Sequence, residues 1–204
     1  HRGRGFYAPQ TFSDIPKSDG RRVQIGWFQT ETRSMSFNQS MTVPLELKLL
    51  GTPDGPRLSF TPVKELESLR TKTTTFEPFT LKPGDRNPFD ALQLELLEIR
   101  ADIEPTDNSE IVLNIRDSMI IYDANKQEIN INGQRTLAPL RDGKLRLTIY
   151  CDRTGLEVFA SDGLCYIPIP FNADPENRKI FLETRGNAAM LHELVVHELR
   201  SAWR

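Results

Sequence analysis

Apolar and polar residues take turns along much of this chain, most regularly between Leu145 and Phe171. Leu145, Leu147, Ile149 and Cys151 alternate there with Arg146, Thr148, Tyr150 and Asp152. A period of two is the mark of a strand with one buried face. Asp152-Arg153-Thr154-Gly155 is turn chemistry, because Asp bonds its own backbone and Gly accepts a positive φ. Leu156 to Ala160 forms a second run, Ser161-Asp162-Gly163 turns the chain again, and Leu164 to Phe171 returns. Three strands in an antiparallel meander belong to a β-sandwich or barrel, not to a parallel α/β sheet.

The same grammar recurs on both sides. Gly5 to Phe12 and Arg21 to Phe28 read as a strand pair about the Pro16–Gly20 turn. A polar loop from Gln29 to Ser36 follows, then Phe37 to Pro44, a strand Leu45–Leu49, a Thr52–Pro56 turn and a strand Arg57–Phe60. Residues 61–76 hold the one expected helix: Thr61 as cap, Pro62 in the first turn, and Val63, Leu66 and Leu69 on one side. Thr71-Lys72-Thr73-Thr74-Thr75 is β-branched and reads as an extended linker. The boundary is placed there, giving domains 1–75 and 76–204. Beyond it, turn signals at Pro83-Gly84, Asp107-Asn108, Asn132-Gly133 and Asp142-Gly143 separate short strands, as in a sandwich. Ala91 to Ile103 alternates with a change of phase at Leu96-Leu97, and is read as a strand with a bulge. The expected fold is therefore all-β and antiparallel.

Composition narrows the function classes. The 204 residues are 38% hydrophobic and 26% charged, with a net charge of −2. The charges are interspersed, so neither a nucleic-acid face nor a membrane-surface helix is indicated, and no apolar run reaches the roughly 18–20 residues of a bilayer span. The chain opens on His1-Arg2-Gly3-Arg4 with no initiator Met or signal peptide, which suggests a fragment. Cys151 and Cys165 could form a staple or stay as half-buried thiols; two cysteines make no disulfide framework, and free thiols are the reading adopted.

Candidate chemistry is sparse. His192 and His197 stand five apart. A zincin helix needs four, and a regular strand would put the two rings on opposite faces. Asp102, Glu104, Asp107, Glu110, Glu157 and Asp162 form no pattern of a paired acid and nucleophile, so turn or surface duty is assigned to them. Asn38-Gln39-Ser40 is a glycosylation sequon of the kind that arises by chance. Tyr7 and Trp27 lie on adjoining strands, where aromatic rings either fill ordinary packing or stack on a sugar, with Gln10 an amide for its hydroxyls. No cofactor or metal is implied.

Several motifs carry a family likeness. Asp152-Arg153-Thr154-Gly155-Leu156-Glu157-Val158-Phe159, then Asp162-Gly163, resembles the C-terminal sandwich of glycoside hydrolase family 32, the invertases, levanases and inulinases. The family usually has Ser at Gly155, a departure in the turn that is expected to matter little. Upstream, Phe6-Tyr7-Ala8, Gln10-Thr11-Phe12, Gly20-Arg21-Arg22, Ile25-Gly26-Trp27, Phe37-Asn38-Gln39, Met41-Thr42, Glu46-Leu47 and Pro62-Val63-Lys64-Glu65-Leu66 resemble the last blade of that family's five-bladed β-propeller. The resemblance implies a retaining enzyme on levan, inulin or sucrose, and a secreted or periplasmic place. It puts Trp27 near the terminal-fructose pocket, Tyr7 and Gln10 less firmly so, and gives Asp152 and Glu157 a structural place only. The family's Asn-Asp-Pro, Arg-Asp-Pro and Glu-Cys motifs do not occur here; Asp174-Pro175 follows Ala173. The chain by itself is thus expected to be inactive, its partners being the missing blades, a fructan or sucrose-type sugar, and other copies of itself at open strand edges. The rival reading is a lectin-like module or a pure scaffold.

Overall fold

A computed structural model describes residues 3–33 and 35–203 of the chain; Ser34, in the expected polar loop, lies outside the described residues. Among the described residues, seventeen strands build three antiparallel sheets. The first holds β1 (Phe6–Thr11), β2 (Arg22–Phe28), β3 (Ser40–Met41), β4 (Leu45–Thr52) and β5 (Gly55–Pro62), in the order β1-β2-β4-β5 with β3 against β2. A four-stranded meander of this kind is the build of a propeller blade.

Where a helix is expected from Thr61 to Phe76, the chain makes a short 3-10 turn, Lys64–Leu69, and then a strand, β6 (Arg70–Phe76). Thr61 does not cap the turn; its hydroxyl donates to the Glu46 carbonyl. Pro62 still belongs to β5, and Arg70 forks onto Glu98 with two bonds of 2.7 Å, which pulls the chain extended. The threonines expected to form a linker pair with the long C-terminal strand instead. β-Branched residues prefer this pleated surface.

The other two sheets form the sandwich. They contain β7 (Phe79–Leu81), β8 (Leu97–Pro105), β9 (Ser109–Ile115), β10 (Ser118–Asp123), β11 (Glu128–Ile131) and β12 (Gln134–Leu137). The remaining strands are β13 (Leu145–Cys151), β14 (Gly155–Ala160), β15 (Cys165–Pro170), β16 (Ile180–Gly186) and β17 (Ala189–Leu199). One sheet runs β12-β11-β10-β9-β16; the seven-stranded one runs β15-β14-β13-β8-β17-β6, with β7 also on β17. Their inner faces share one core, including Ile99, Ile103, Ile115, Ile129, Leu145, Ile149 and Val158. The meander expected from Leu145 to Phe171 is present as β13-β14-β15. The strand expected from Ala91 begins only at Leu97. The segment before it is turned, with one bridge from Gln93 to Lys179, because Phe89 and Leu94 drop into the core. Cys151 and Cys165 are both buried, and no disulfide joins them.

β17 corrects the reading of the histidines. Its register slips between Leu191 and Glu193, so His192 is a bulge residue. His192 Nε2 lies 2.7 Å from Glu104, while His197 stands opposite Glu98 and bonds Thr73 at 2.8 Å. Glu98 and Glu104 share one face of β8, so the bulge brings both rings to that same face. They stay at separate partners along it.

Candidate functional site

The blade is fastened to the sandwich by one face and open on the other. Alternation along β1 and β2 turns Phe6 and Phe28 toward the sandwich and Tyr7 and Trp27 away from it. Phe6 meets Tyr166 edge-on at 5.5 Å between centroids, and Phe60 and Phe159 stack on the same ring at 5.7 and 4.9 Å. Tyr166 is fully buried in this junction, with Leu45 and Tyr150 beside it. Thr30 donates to the Thr154 carbonyl at 2.6 Å, and Arg21 ties the blade turn at Asp19 to Glu65, holding both carboxyls down to about 2.

Two glycines let the surfaces touch. A Cβ on Gly155 would sit 2.2 Å from the Phe28 ring, and one on Gly163 only 2.4 Å from the Phe60 carbonyl oxygen. The Gly155 position, expected to matter little, is the seat of Phe28. Gly163 also has a φ of +81°, which other residues rarely adopt.

Glu157 lies inside the junction. Val43 N–H donates to Oε1 at 2.7 Å, and the Tyr166 hydroxyl sits 2.5 Å from Oε2. Two such donors would favour the carboxylate, yet full burial outweighs them and pushes the carboxyl up to about 8. Oε1 accepts from the Val43 N–H and Oε2 from the Tyr166 hydroxyl, and burial pushes the Tyr166 phenol well above its usual range. The residue pattern assigned Glu157 turn or surface duty, and its burial in the junction corrects that, because Val43 and Tyr166 supply the partners a buried carboxyl needs; only the family likeness gave it a structural place. A glutamate in the otherwise apolar run Leu156 to Ala160, buried on both faces, is the signal that was there to find.

On the open face Tyr7 pairs with Trp27 across the strands, their rings edge-on at 5.8 Å, and Met41 pairs with Trp27 from β3. Tyr7 is 59% exposed, Trp27 38% and Met41 50%, an apolar strip across the blade. Gln10 is exposed too, but a bulge at Ala8, where φ is 41°, separates it from Tyr7 and sets it opposite Ile25. The structure therefore joins Tyr7 to Trp27 and places Gln10 further along β1. Two exposed aromatic rings inclined at 67° to each other suit the C–H face of a sugar ring or the side of another blade.

The acidic residues considered as catalytic candidates are dispersed. Asp162 takes Arg141 and Arg146, Asp102 takes Lys144, Glu104 takes His192, and Glu110 lies across from Arg185.

Comparison with known proteins agrees with this architecture. The levanase of Bacillus subtilis is 27% identical over 98% of this chain, which spans about a third (34%) of that protein. A sucrose-6-phosphate hydrolase of Escherichia coli is 27% identical over 97% of the chain and 43% of its own length. The exo-inulinase of Aspergillus awamori superposes with a TM-score of 0.83 at 18% identity, covering 99% of this chain and 44% of that one. Fructan 1-exohydrolase IIa of Cichorium intybus gives 0.75 at 16%, covering 98% and 49%. These two likenesses bear on the fold. The model of the glycosyl hydrolases family 32 C-terminal domain matches residues 65–198, and the chain belongs to that family.

Proposed function

We propose that this chain is the C-terminal part of a retaining β-fructosidase acting on levan, inulin or sucrose. In this reading the sandwich braces the last propeller blade, and the blade offers Trp27 and Tyr7, with Gln10 at its margin, to the sugar. The nucleophile, the acid/base and the carboxylate that steadies the transition state come from upstream blades. The observation that carries the reading is the two-faced blade: one side buried on Tyr166 and Glu157, the other exposing Tyr7 on the end strand β1 and Trp27 on its neighbour β2. We place the functional boundary near residue 75, although β6 already pairs within the sandwich. The test is hydrolysis by the longest native protein that contains this chain. Sucrose, inulin and levan are assayed with wild type and Trp27→Ala, and at least a tenfold loss of kcat/KM is expected on the preferred substrate. Wild-type protein that hydrolyses none of the three would sink the proposal.

The Tyr7–Trp27 pair also favours a second reading, a non-catalytic saccharide-binding module. Fructan binding without hydrolysis by that native protein, lost on Trp27→Ala, would select it.

A further inference from the structure

The hold on Trp27 begins with an irregularity in the blade. Along β2, Gln24 pairs with Leu45 and Trp27 with Met41, so Ile25 and Gly26 face three residues, Thr42, Val43 and Pro44. The extra residue makes a bulge, a device that re-aims groups beside working sites. Pro44 has no N–H to give the ladder. Thr42 clasps Gly26 twice instead: its N–H donates to the Gly26 carbonyl at 2.9 Å, and its hydroxyl accepts the Gly26 N–H at 3.0 Å. The Val43 N–H is turned out of the sheet and goes to Glu157 Oε1 at 2.7 Å.

Glu157 reaches the blade by a second route. Its Oε2 accepts from the Tyr166 hydroxyl, and Phe6 stands edge-on against the Tyr166 ring. The Phe6 ring in turn fills the space beside Gly26, where an added Cβ would lie only 2.2 Å from it. Both routes end one residue short of the exposed pair, since Phe6 precedes Tyr7 and Gly26 precedes Trp27. β3 is only two residues long, and Met41 at its end is the cross-strand partner of Trp27. So short a strand has little hold of its own, and the Val43 bond pins the chain just beyond it. An apolar side chain in place of Glu157 would fill the volume but offer no acceptor. The Val43 N–H and the Tyr166 hydroxyl would then be left unpaired, which drives the segments that carry them to rearrange.

We propose that Glu157, from the sandwich, is a positioning residue for Trp27 and Tyr7. It fixes the Thr42–Val43 bulge and the Tyr166–Phe6 contact, and through them the angle at which the two rings stand on the open face. Its consequence for sugar binding rests on the fructosidase reading; the orientation of the rings does not. The experiment follows the indole N–H resonance of Trp27 in the whole 204-residue chain, identified by its absence in Trp27→Phe. In Glu157→Leu that resonance is expected to move or broaden. In Glu157→Gln, which keeps an acceptor for Val43, it is expected to stay at the wild-type position. Thr42→Val removes only the acceptor for Gly26, is expected to move the same resonance, and decides the matter if Glu157→Leu does not fold. In the longest native protein that contains this chain, Glu157→Leu is expected to raise KM about fivefold or more with kcat within about twofold, as loss of uniform binding does, and Glu157→Gln to restore KM. A resonance unmoved in Glu157→Leu, or moved as far in Glu157→Gln, would overturn the proposal. So would a kcat lowered at unchanged KM, the mark of protein lost to unfolding. Wild-type protein that hydrolyses no fructoside defeats the fructosidase reading, and the resonance then decides the positioning alone.

Discussion

Replacing Glu157 by Gln isolates the most unusual group in the junction. The amide keeps the Val43 N–H bond to its oxygen and turns its NH2 to the Tyr166 oxygen, in place of the bond that Oε2 accepts from that hydroxyl, so it matches the acid in size without the ability to ionise. In the folded chain the acid titrates at about 8 rather than 4.5. Below pH 4.5 both folded and unfolded states hold the proton, and the acid and the amide are about equally stable. Between 4.5 and 8 the unfolded chain releases its proton while the folded chain keeps it, so wild-type stability falls by up to about 1.4 kcal/mol per pH unit. Above 8 the fall ends. Summed over that window, the shift corresponds to on the order of 4–5 kcal/mol. Tyr166 is pushed further from neutrality and does not titrate in this range, and the remaining groups cancel in the difference between variants. Urea unfolding of wild type and Glu157→Gln at pH 5, 7 and 9 is therefore expected to show the amide gaining several kcal/mol on the acid as pH rises. A difference that is flat with pH, or one that favours the acid at pH 9, would show that the two donors stabilise a buried carboxylate and would refute the reasoning.

Three further expectations follow from the same junction and core. Gly155→Ala forces its Cβ into the Phe28 ring and is expected to cost about 1–3 kcal/mol in urea unfolding, partly recovered by adding Phe28→Leu; full stability in the single variant would contradict the contact. Arg70→Ala strands Glu98, whose side chain is 2% exposed, and is expected to cost about 3–5 kcal/mol, with a loss below about 1 kcal/mol counting against a buried pair. Burial pushes the Cys151 thiol up to about 12, so thiol reagents at pH 8 are expected to leave it unmodified in the native chain and to find both cysteines in denaturant. Rapid labelling of Cys151 in the folded protein would contradict that.

Much of the fold was legible because alternation is a local signal. The β13-β14-β15 meander, the first hairpins and the turns at Asn132-Gly133 and Asp142-Gly143 all lie where period-two runs and turn residues put them. What escaped the sequence depends on distant partners. The helical spacing of Val63, Leu66 and Leu69 was overridden because Arg70 finds Glu98 and the threonines find β17. The histidine faces were misjudged because a bulge in β17 is set by pairing with β8, not by its own residues. Gly155 seemed replaceable in its turn, and only the blade's Phe28 makes it necessary. Of the candidate site, the Tyr7–Trp27 pair was readable from strand neighbours, whereas the Glu157–Tyr166 link and the Val43–Glu157 bond required the third dimension.

The central claim is that this blade and sandwich finish a larger fructosidase. The most direct measurement is the mass of the native protein from its source, detected with an antibody to this chain. The account predicts a species near twice 23.3 kDa or more, large enough to hold the upstream blades. A native product of 23.3 kDa would contradict it.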